Sequence, residues 1–549
     1  MRLNWVKNQL KKSQPIEIFL FLLFFLFASW LMWHTFTYHN HTIYIATKAW
    51  SDFAATLPLA RSFAWGNNFP PQDPLFAGEP LHYHLFFYFL VGLLEKVGLQ
   101  LDLALNGLST LGFTGLLIAI YTLAKFLFDK KSVALLGVIL FLFNGSLSFM
   151  EYFKKHPFSL TTLKEITTND TFPSFGPYDG KIVSAFWNLN IYTNQRHLGF
   201  AFALALLFVG ILIYIEKIPL KKQLFFLVPE VFILAIMPFF HQPILVILAV
   251  FMACYFVLFP HLRVLLLLIG AVGAMYIFPQ LLPLISGQKT IHWNPGYLMS
   301  PPLAPLHILW YWIQNLGLHF FLIPLGWILA PARIKKITIP LLFVFIIPNL
   351  FQFSVEMAAN HKFFNFYLIL GNMLSAYVLI KICSCKYIGK LVGSIALIGL
   401  IFSGIIDFFP VYNDEVMTLQ DIPANNVATW IKDNTPPDAI FLNSSYFFHP
   451  ASIAGRKILL GWPYFSWSAG YNTDTRWSDM KTLYETTNPT LFCHLISKYH
   501  VSYISYQKPE VDNIHPNITM LESQAEPVFT GQENTYFIYK LSTACYIRG

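Results

Sequence analysis

Long apolar runs separated by short polar segments dominate the first 409 residues of the chain. Each run approaches the length of about twenty residues that an α-helix needs to cross the hydrocarbon core of a membrane. We therefore predict about eleven membrane-spanning helices, at 17–35, 106–128, 132–149, 198–215, 223–240, 242–260, 263–283, 306–330, 337–353, 363–382 and 391–409.

The stretch 84–97 is apolar but short, and Glu95 and Lys96 interrupt it. At about fourteen residues it favours an interfacial or re-entrant helix over a span. With this assignment, every basic cluster of a short loop falls on the side of the basic N-terminus, which positive-inside topology places in the cytoplasm. These clusters contain Lys125, Lys130 and Lys131, then Lys217, Lys221 and Lys222, then Arg263, then Arg333, Lys335 and Lys336, then Lys381, Lys386 and Lys390.

The longer polar segments fall on the opposite, extracytoplasmic side. They are the first outer loop 36–105, the second outer loop 150–197, the segments 284–305 and 354–362, and the tail 410–549. Long loops usually carry function, so we expect the chemistry on this side. Short β-type runs alternate with helix-like stretches in the tail, which predicts a soluble α/β domain after the transmembrane region 1–409.

Composition supports a membrane protein: 56% of the 549 residues are hydrophobic and 12% are charged, whereas soluble proteins carry about a quarter charged residues. The net charge of +8 comes largely from loops on one side, so topology explains it better than nucleic-acid binding does. Of the five cysteines, only Cys493 and Cys545 share the outer compartment, where we predict a disulfide. No Cys/His spacing is typical of a zinc site.

The first outer loop places Asp52 at the membrane surface, ahead of a helix-like stretch, and continues through Asp73-Pro74 to Leu81-His82-Tyr83-His84. This arrangement resembles the first outer loop of the GT-C superfamily of polyprenyl-phosphate-sugar-dependent glycosyltransferases, within it the protein-mannosyltransferase and RgtA/B/C/D-like type. The resemblance covers the spanning region in topology and a few short motifs in sequence. It implies a GT-C-like helical fold with the active site on the outer side.

The resemblance implies that Asp52 is the general base that removes the proton of the acceptor hydroxyl, a step that suits a positioned carboxylate. The alternative is that Asp52 caps the following helix. Candidates for a second acid are Asp73, Asp170 and Asp179, although Asp73 precedes a proline and suits a turn.

In similar enzymes a cation from a late outer loop holds the donor phosphate, which makes Lys362 the candidate here. Arg196 is a second candidate, since it lies on the outer side against the charge bias. The alternatives are an interfacial anchor paired with Glu356 for Lys362, and contact with lipid headgroups for Arg196. Residues expected to line the same cavity are His82, His84, Gln195, His197, His241, Glu356, Asn360 and His361.

In the tail, Trp462, Tyr464, Trp467 and Tyr471 are candidates for stacking on sugar rings, but packing the domain core is the favoured alternative. Arg456 and Arg476 are candidates for contact with an acceptor or with local acids. Family members differ in their need for a divalent metal ion, and the sequence does not decide between these cases.

The leading hypothesis is a plasma-membrane (inner-membrane) glycosyltransferase that moves a sugar from a polyprenyl-phosphate donor to a glycolipid, polysaccharide or protein acceptor outside the cytoplasm. One rival is a transporter or lipid flippase. The spans show no obvious inverted halves, and the acids gather at one surface instead of the midplane. The second rival is a non-catalytic scaffold whose tail binds a partner.

Overall fold

The computed structural model describes residues 15–174, 182–183, 186–285, 291–443, 447–508, 514–531, 534–542 and 545. These residues are mostly helical, and the C-terminal region contains a sheet. By length and composition, six helices can cross a membrane: Pro15–Thr35, Leu101–Phe128, Leu198–Ile215, Pro260–Phe278, Met357–Cys383 and Lys386–Tyr412. Together they indicate a multi-pass membrane protein.

The predicted count of about eleven spans is not confirmed. The predicted span 306–330 consists of two helices, Pro305–Leu316 and His319–Leu329, bent by 89°. Gly317 at this break has φ +53° and packs so closely on residues 145 and 146 that a Cβ would crowd their backbone. Other predicted spans are shorter helices, namely Lys131–Leu142, Leu224–Phe240, Gln242–Leu258 and Pro340–Leu350.

The first outer loop contains two helices, Trp50–Trp65 and Phe86–Lys96. The second of these covers the stretch 84–97, and its 11 residues span about 16 Å, about half of the hydrocarbon core. Where the structure describes it, the second outer loop contributes the short helices Ser148–Lys155, Thr162–Thr167 and Asn190–Asn194.

Backbone pairing brings the first outer loop and the start of the tail together. Strands β1 (Phe36–His39), β2 (Thr42–Ala46) and β5 (Val416–Gln420) form one antiparallel sheet in the order β1-β2-β5. The ends of the first and last spanning helices also meet, where the His34 ring lies 2.8 Å from the carbonyl of Tyr412. The second outer loop joins the same region, because Asn413 donates to the carbonyls of Thr167 and Asn169 at 2.9 Å.

The segments 284–305 and 354–362 contact each other, and Glu356 of the second accepts a hydrogen bond from Tyr464 of the tail at 2.8 Å. Strand β3 (His292–Trp293) pairs with β4 (Phe351–Gln352), which directly follows the helix Pro340–Leu350. The Tyr297 hydroxyl donates to the carbonyl of Ala358 at 3.4 Å. All the predicted outer segments therefore contribute described residues to one end of the helix bundle.

The tail holds a mixed five-stranded sheet in the order β7-β6-β8-β10-β9. Strands β6 (Ile440–Leu442), β7 (Lys457–Ile458) and β8 (Tyr503–Gln507) are parallel, while β9 (Ala525–Thr530) and β10 (Tyr536–Leu541) complete the sheet antiparallel. Around it lie the helices Asn426–Asn434, Pro450–Ile453, Pro463–Ser468, Thr473–Glu485, Pro489–Tyr499 and Ile518–Gln524. Cys493 and Cys545 form a disulfide.

A buried arginine connects the first outer loop to the tail. The Arg61 guanidinium donates to both carboxylate oxygens of Asp421, at 3.0 and 2.7 Å. Its Nε lies 2.9 Å from Glu95, as an ion pair whose angle does not suit a hydrogen bond. Burial raises the pKa of Glu95 to about 7, although Arg61 opposes the shift. One cation therefore holds two buried carboxylates.

We expect Arg61→Ala to lower the free energy of unfolding by about 3–5 kcal/mol, because it leaves two buried carboxylates without their cation. The measurement is reversible unfolding of the detergent-solubilised chain by denaturing detergent. Combining Arg61→Met with Glu95→Gln and Asp421→Asn should recover much of the loss, since no uncompensated charge then remains buried.

A surface ion pair in the tail provides the control. Lys498 lies 2.7 Å from Asp479, and both side chains are partly exposed, so Lys498→Ala should cost no more than about 1 kcal/mol. If Arg61→Ala were as stable as Lys498→Ala, the contacts of Arg61 with Asp421 and Glu95 would not hold the first outer loop and the tail together.

Candidate functional site

Asp52 lies in the first turn of the helix Trp50–Trp65 but does not cap it. The N-cap residue is Ala49, and no side chain makes the capping hydrogen bond. The backbone carbonyl of Asp52 accepts a hydrogen bond from Thr56 at 2.8 Å. Its carboxylate accepts none from any residue that the structure describes. A carboxylate in this condition can accept a proton from a ligand.

The surroundings of Asp52 tune its acidity. Burial raises the pKa of Asp52 to about 6; the positive charge of Lys362 opposes this rise, and the negative charge of Glu356 adds to it. Residues from the first outer loop and from the segment 354–362 therefore act on one another electrostatically. A carboxyl group that titrates near pH 6 is ionised at neutral pH and is a stronger base than an ordinary aspartate.

Lys362 lies in the first turn of the helix His361–Cys383 and is buried. Among the described residues, no carboxylate forms an ion pair with its ammonium group. Glu356, the partner considered from sequence, instead accepts a hydrogen bond from Tyr464 of the tail at 2.8 Å. The ammonium group is thus buried near Asp52 without a bonded counter-ion, as a site for an anionic ligand requires.

Three histidines from separate segments meet beside this pair. The rings of His84 and His197 lie 3.9 Å apart, those of His84 and His241 4.9 Å, and those of His197 and His241 5.3 Å, between centroids. One nitrogen from each ring lies within 4.8 Å of the other two. Burial holds the pKa of each ring well below its usual range, and the charge of Lys362 adds to this effect. All three rings are therefore neutral at pH 7.

Arg196 is fully engaged by the protein, contrary to the expected contact with a donor phosphate. Its guanidinium donates to Thr193, Met32, Thr35 and Asn106, and it lies 5.4 Å from the ring centre of Phe53. It is 1% exposed. Arg196 therefore braces the first spanning helix against the helices around it and keeps no nitrogen for a ligand.

The other candidates from sequence have varied surroundings. Asp73 accepts a hydrogen bond from the backbone of Leu75 at 2.8 Å, as expected of a turn, and burial raises its pKa to about 6. Asp170 is exposed and bonded to its neighbour Thr171. Asp179 lies outside the described residues.

Two expected cavity residues have structural contacts. The side-chain amide of Asn360 bonds to three backbone groups around the segment 348–353. His82 stacks on Tyr471 at 4.4 Å, outside the histidine cluster. Gln195 is partly buried, and His361 is buried and stacks on Phe186 at 4.8 Å.

The tail aromatics divide into two groups. Tyr471 is buried and stacks on Phe76, so packing explains it. Trp462, Tyr464 and Trp467 remain about 40% exposed, contrary to the favoured expectation of core packing. Since Tyr464 bonds to Glu356, this exposed aromatic surface lies beside the segment that carries Lys362.

Arg456 and Arg476 of the tail each contact the first outer loop. Arg456 donates to the carbonyl of Trp65 at 2.9 Å, and Arg476 donates to that of Ala77 at 2.8 Å. Their main contacts are therefore with the protein.

The sequence analysis missed the contact of Tyr88 with the histidine cluster. The Tyr88 hydroxyl lies 3.2 Å from Nδ1 of His197. Tyr88 belongs to the helix Phe86–Lys96, and His197 lies 109 residues further along the chain. No local sequence pattern signals a contact over this separation.

No protein-family model and no curated protein matches the sequence. Solved structures with a similar arrangement include two of an oligosaccharyltransferase from Archaeoglobus fulgidus. One is tethered to an acceptor peptide (12% identity, 96% of this chain and 74% of that chain, TM-score 0.49). The other, AglB, is in complex with an inhibitory peptide and a dolichol-phosphate (12%, 97% and 75%, TM-score 0.41).

A third similar structure is ArnT from Cupriavidus metallidurans in the apo state (10% identity, 96% of this chain and 98% of that chain, TM-score 0.47). The oligosaccharyltransferase and ArnT are GT-C glycosyltransferases. TM-scores below 0.5 do not establish a shared fold, so function rests on the side chains described above.

Proposed function

We propose that this chain is a membrane glycosyltransferase that moves a sugar from a polyprenyl-phosphate-linked donor to a hydroxyl group of an extracytoplasmic acceptor. The observation that carries the proposal is the placement of a base with raised pKa, Asp52, beside a buried cation, Lys362, at one end of a helix bundle. The acceptor hydroxyl is a poor nucleophile, and Asp52 takes its proton as the new glycosidic bond forms.

Lys362 acts on the leaving group. As the bond between sugar and phosphate breaks, negative charge grows on the phosphate oxygen, and a fixed cation stabilises that charge more in the transition state than in the ground state. Low solvent exposure strengthens the effect, because the surrounding dielectric is low. Its place in the first turn of an apolar helix suits a phosphate whose lipid chain stays in the membrane.

The exposed surface of Trp462, Tyr464 and Trp467 suits the acceptor. Aromatic rings give flat apolar faces with polar edges, a chemistry that fits sugar rings. The hydrogen bond from Tyr464 to Glu356 joins this surface to the segment that ends at Lys362. A glycolipid or polysaccharide acceptor uses both features, and the predicted topology of the basic loops supports a site outside the cytoplasm.

We expect Asp52→Asn to reduce kcat for sugar transfer by about 10²- to 10⁴-fold, the usual contribution of a general base. The measurement is transfer from a polyprenyl-phosphate sugar by the purified chain in lipid. The matched control is Asp433→Asn, which changes an exposed aspartate of the tail. Wild-type transfer by the Asp52→Asn variant at normal expression would remove Asp52 from the mechanism.

We expect kcat/KM to fall as pH drops through about 6, because Asp52 works only when ionised. Removing the neighbouring cation with Lys362→Ala should move this acid limb to higher pH. Removing the neighbouring anion with Glu356→Gln should move it to lower pH. Shifts of the same sign in both variants would contradict the arrangement of charges around Asp52.

We expect Lys362→Ala to raise the donor KM and to lower kcat by about 10²-fold, as loss of a group that stabilises a developing anion does. Steady-state kinetics against donor concentration measures both parameters. Lys381→Ala is the matched control, because Lys381 lies near the other end of the same helix and is exposed. Unchanged donor dependence in Lys362→Ala would exclude the phosphate role.

A further inference from the structure

Three neutral imidazoles face one another in the buried histidine cluster formed by His84, His197 and His241. They come from the first outer loop, the end of the second outer loop and the junction between the helices Leu224–Phe240 and Gln242–Leu258. One nitrogen from each lies within 4.8 Å of the other two, so one ion between them is in reach of all three.

One nitrogen of each ring in this cluster has no protein partner among the described residues. Nε2 of His84, Nε2 of His197 and Nδ1 of His241 are buried and have no hydrogen-bond partner among the residues that the structure describes. His197 and His241 are 0% and 2% exposed as whole residues. Buried polar atoms in native proteins are nearly always bonded, so three such atoms in one place indicate a missing ligand.

The other ring nitrogen of His197, Nδ1, has a protein partner. Tyr88 lies 3.2 Å from its Nδ1, and when Nδ1–H donates to the Tyr88 oxygen, Nε2 carries the lone pair that a metal ion needs. A hydrogen-bond partner on the non-ligating nitrogen is the usual companion of a metal-binding histidine.

We propose that His84, His197 and His241 bind one divalent transition-metal ion, with zinc as the best fit. Imidazole ligands suit zinc, copper, iron and nickel, whereas magnesium and calcium prefer oxygen. Three protein ligands in a tetrahedral site leave a fourth position for water or for a substrate oxygen, the pattern of zinc sites that take part in reactions.

The charge around the cluster suggests the occupant of that fourth position. Lys362 lies near enough to act on all three rings electrostatically. A dication beside this ammonium group makes a strongly positive pocket, offset by Asp52 and Glu356. Such a pocket suits a phosphate oxygen of the donor, an assignment that rests on the proposed function.

The test is the metal content of the full chain, purified with a tag that lacks histidine, equilibrated in a zinc buffer and measured by mass spectrometry. We expect about one zinc per chain in the wild type and loss of this zinc in His84→Ala, His197→Ala and His241→Ala. His82→Ala is the matched control, because His82 lies two residues from His84 but stacks on Tyr471, and it should keep the metal.

A second measurement guards against misfolding. Cobalt added to the metal-free wild type should give the visible absorption of a tetrahedral site, and Tyr88→Phe should weaken binding by about 10- to 100-fold while leaving the three ligands in place. His84→Ala is the least disruptive ligand variant, since His84 is only partly buried, and its elution profile should match the wild type.

Two results would overturn the metal site: a wild type without zinc above background, or ligand variants that keep as much zinc as His82→Ala. Failure of the glycosyltransferase proposal is distinguishable, because Asp52→Asn should keep its zinc whether or not transfer is lost. A chain that binds zinc but transfers no sugar would keep the metal site and reject the enzyme.

Discussion

The Arg61 guanidinium, buried between Asp421 and Glu95, is the contact on which the outer end of the molecule depends. It joins residues 360 positions apart and fixes the helix Trp50–Trp65, whose first turn carries Asp52, against the tail. Two buried carboxylates tolerate this position because one cation serves both, with hydrogen bonds to the two oxygens of Asp421 and an ion pair with Glu95. Once that helix is fixed, the direction in which Asp52 faces is fixed as well.

The buried cations Lys362 and Arg196 differ in their bonded partners, and this difference separates a structural side chain from a candidate ligand-binding one. Arg196 has protein acceptors for its nitrogens and acts as a brace between helices. Lys362 has no ion-pair partner among the described carboxylates and acts on Asp52 through space. A charged side chain inside a membrane protein is energetically costly, so the lack of a bonded partner for Lys362 supports its proposed role in binding an anion.

The tail is part of the site region and not only an appendage. Its first strand extends the sheet of the first outer loop, and its Tyr464 bonds to Glu356 beside Lys362. Both contacts place the exposed aromatic surface next to the proposed donor pocket. In the proposed reaction, the transmembrane region would bind the lipid-linked donor and the tail would offer a surface for the acceptor.

The sequence by itself determined the membrane character of the chain and the cysteines that pair. The candidate roles of Asp52 and Lys362 came from the family resemblance and stay predictions. Hydropathy and charge bias depend on the composition of each segment, so they can be read from the sequence without knowledge of how the helices pack. The bend within the predicted span 306–330 did not follow, because the break at Gly317 depends on a close approach to residues 145 and 146. Only the tertiary structure gave Arg196 its hydrogen-bond acceptors. It also brought His84, His197 and His241 within reach of one ion. Contacts between residues so distant in sequence depend on how helices pack, and no local pattern encodes that packing.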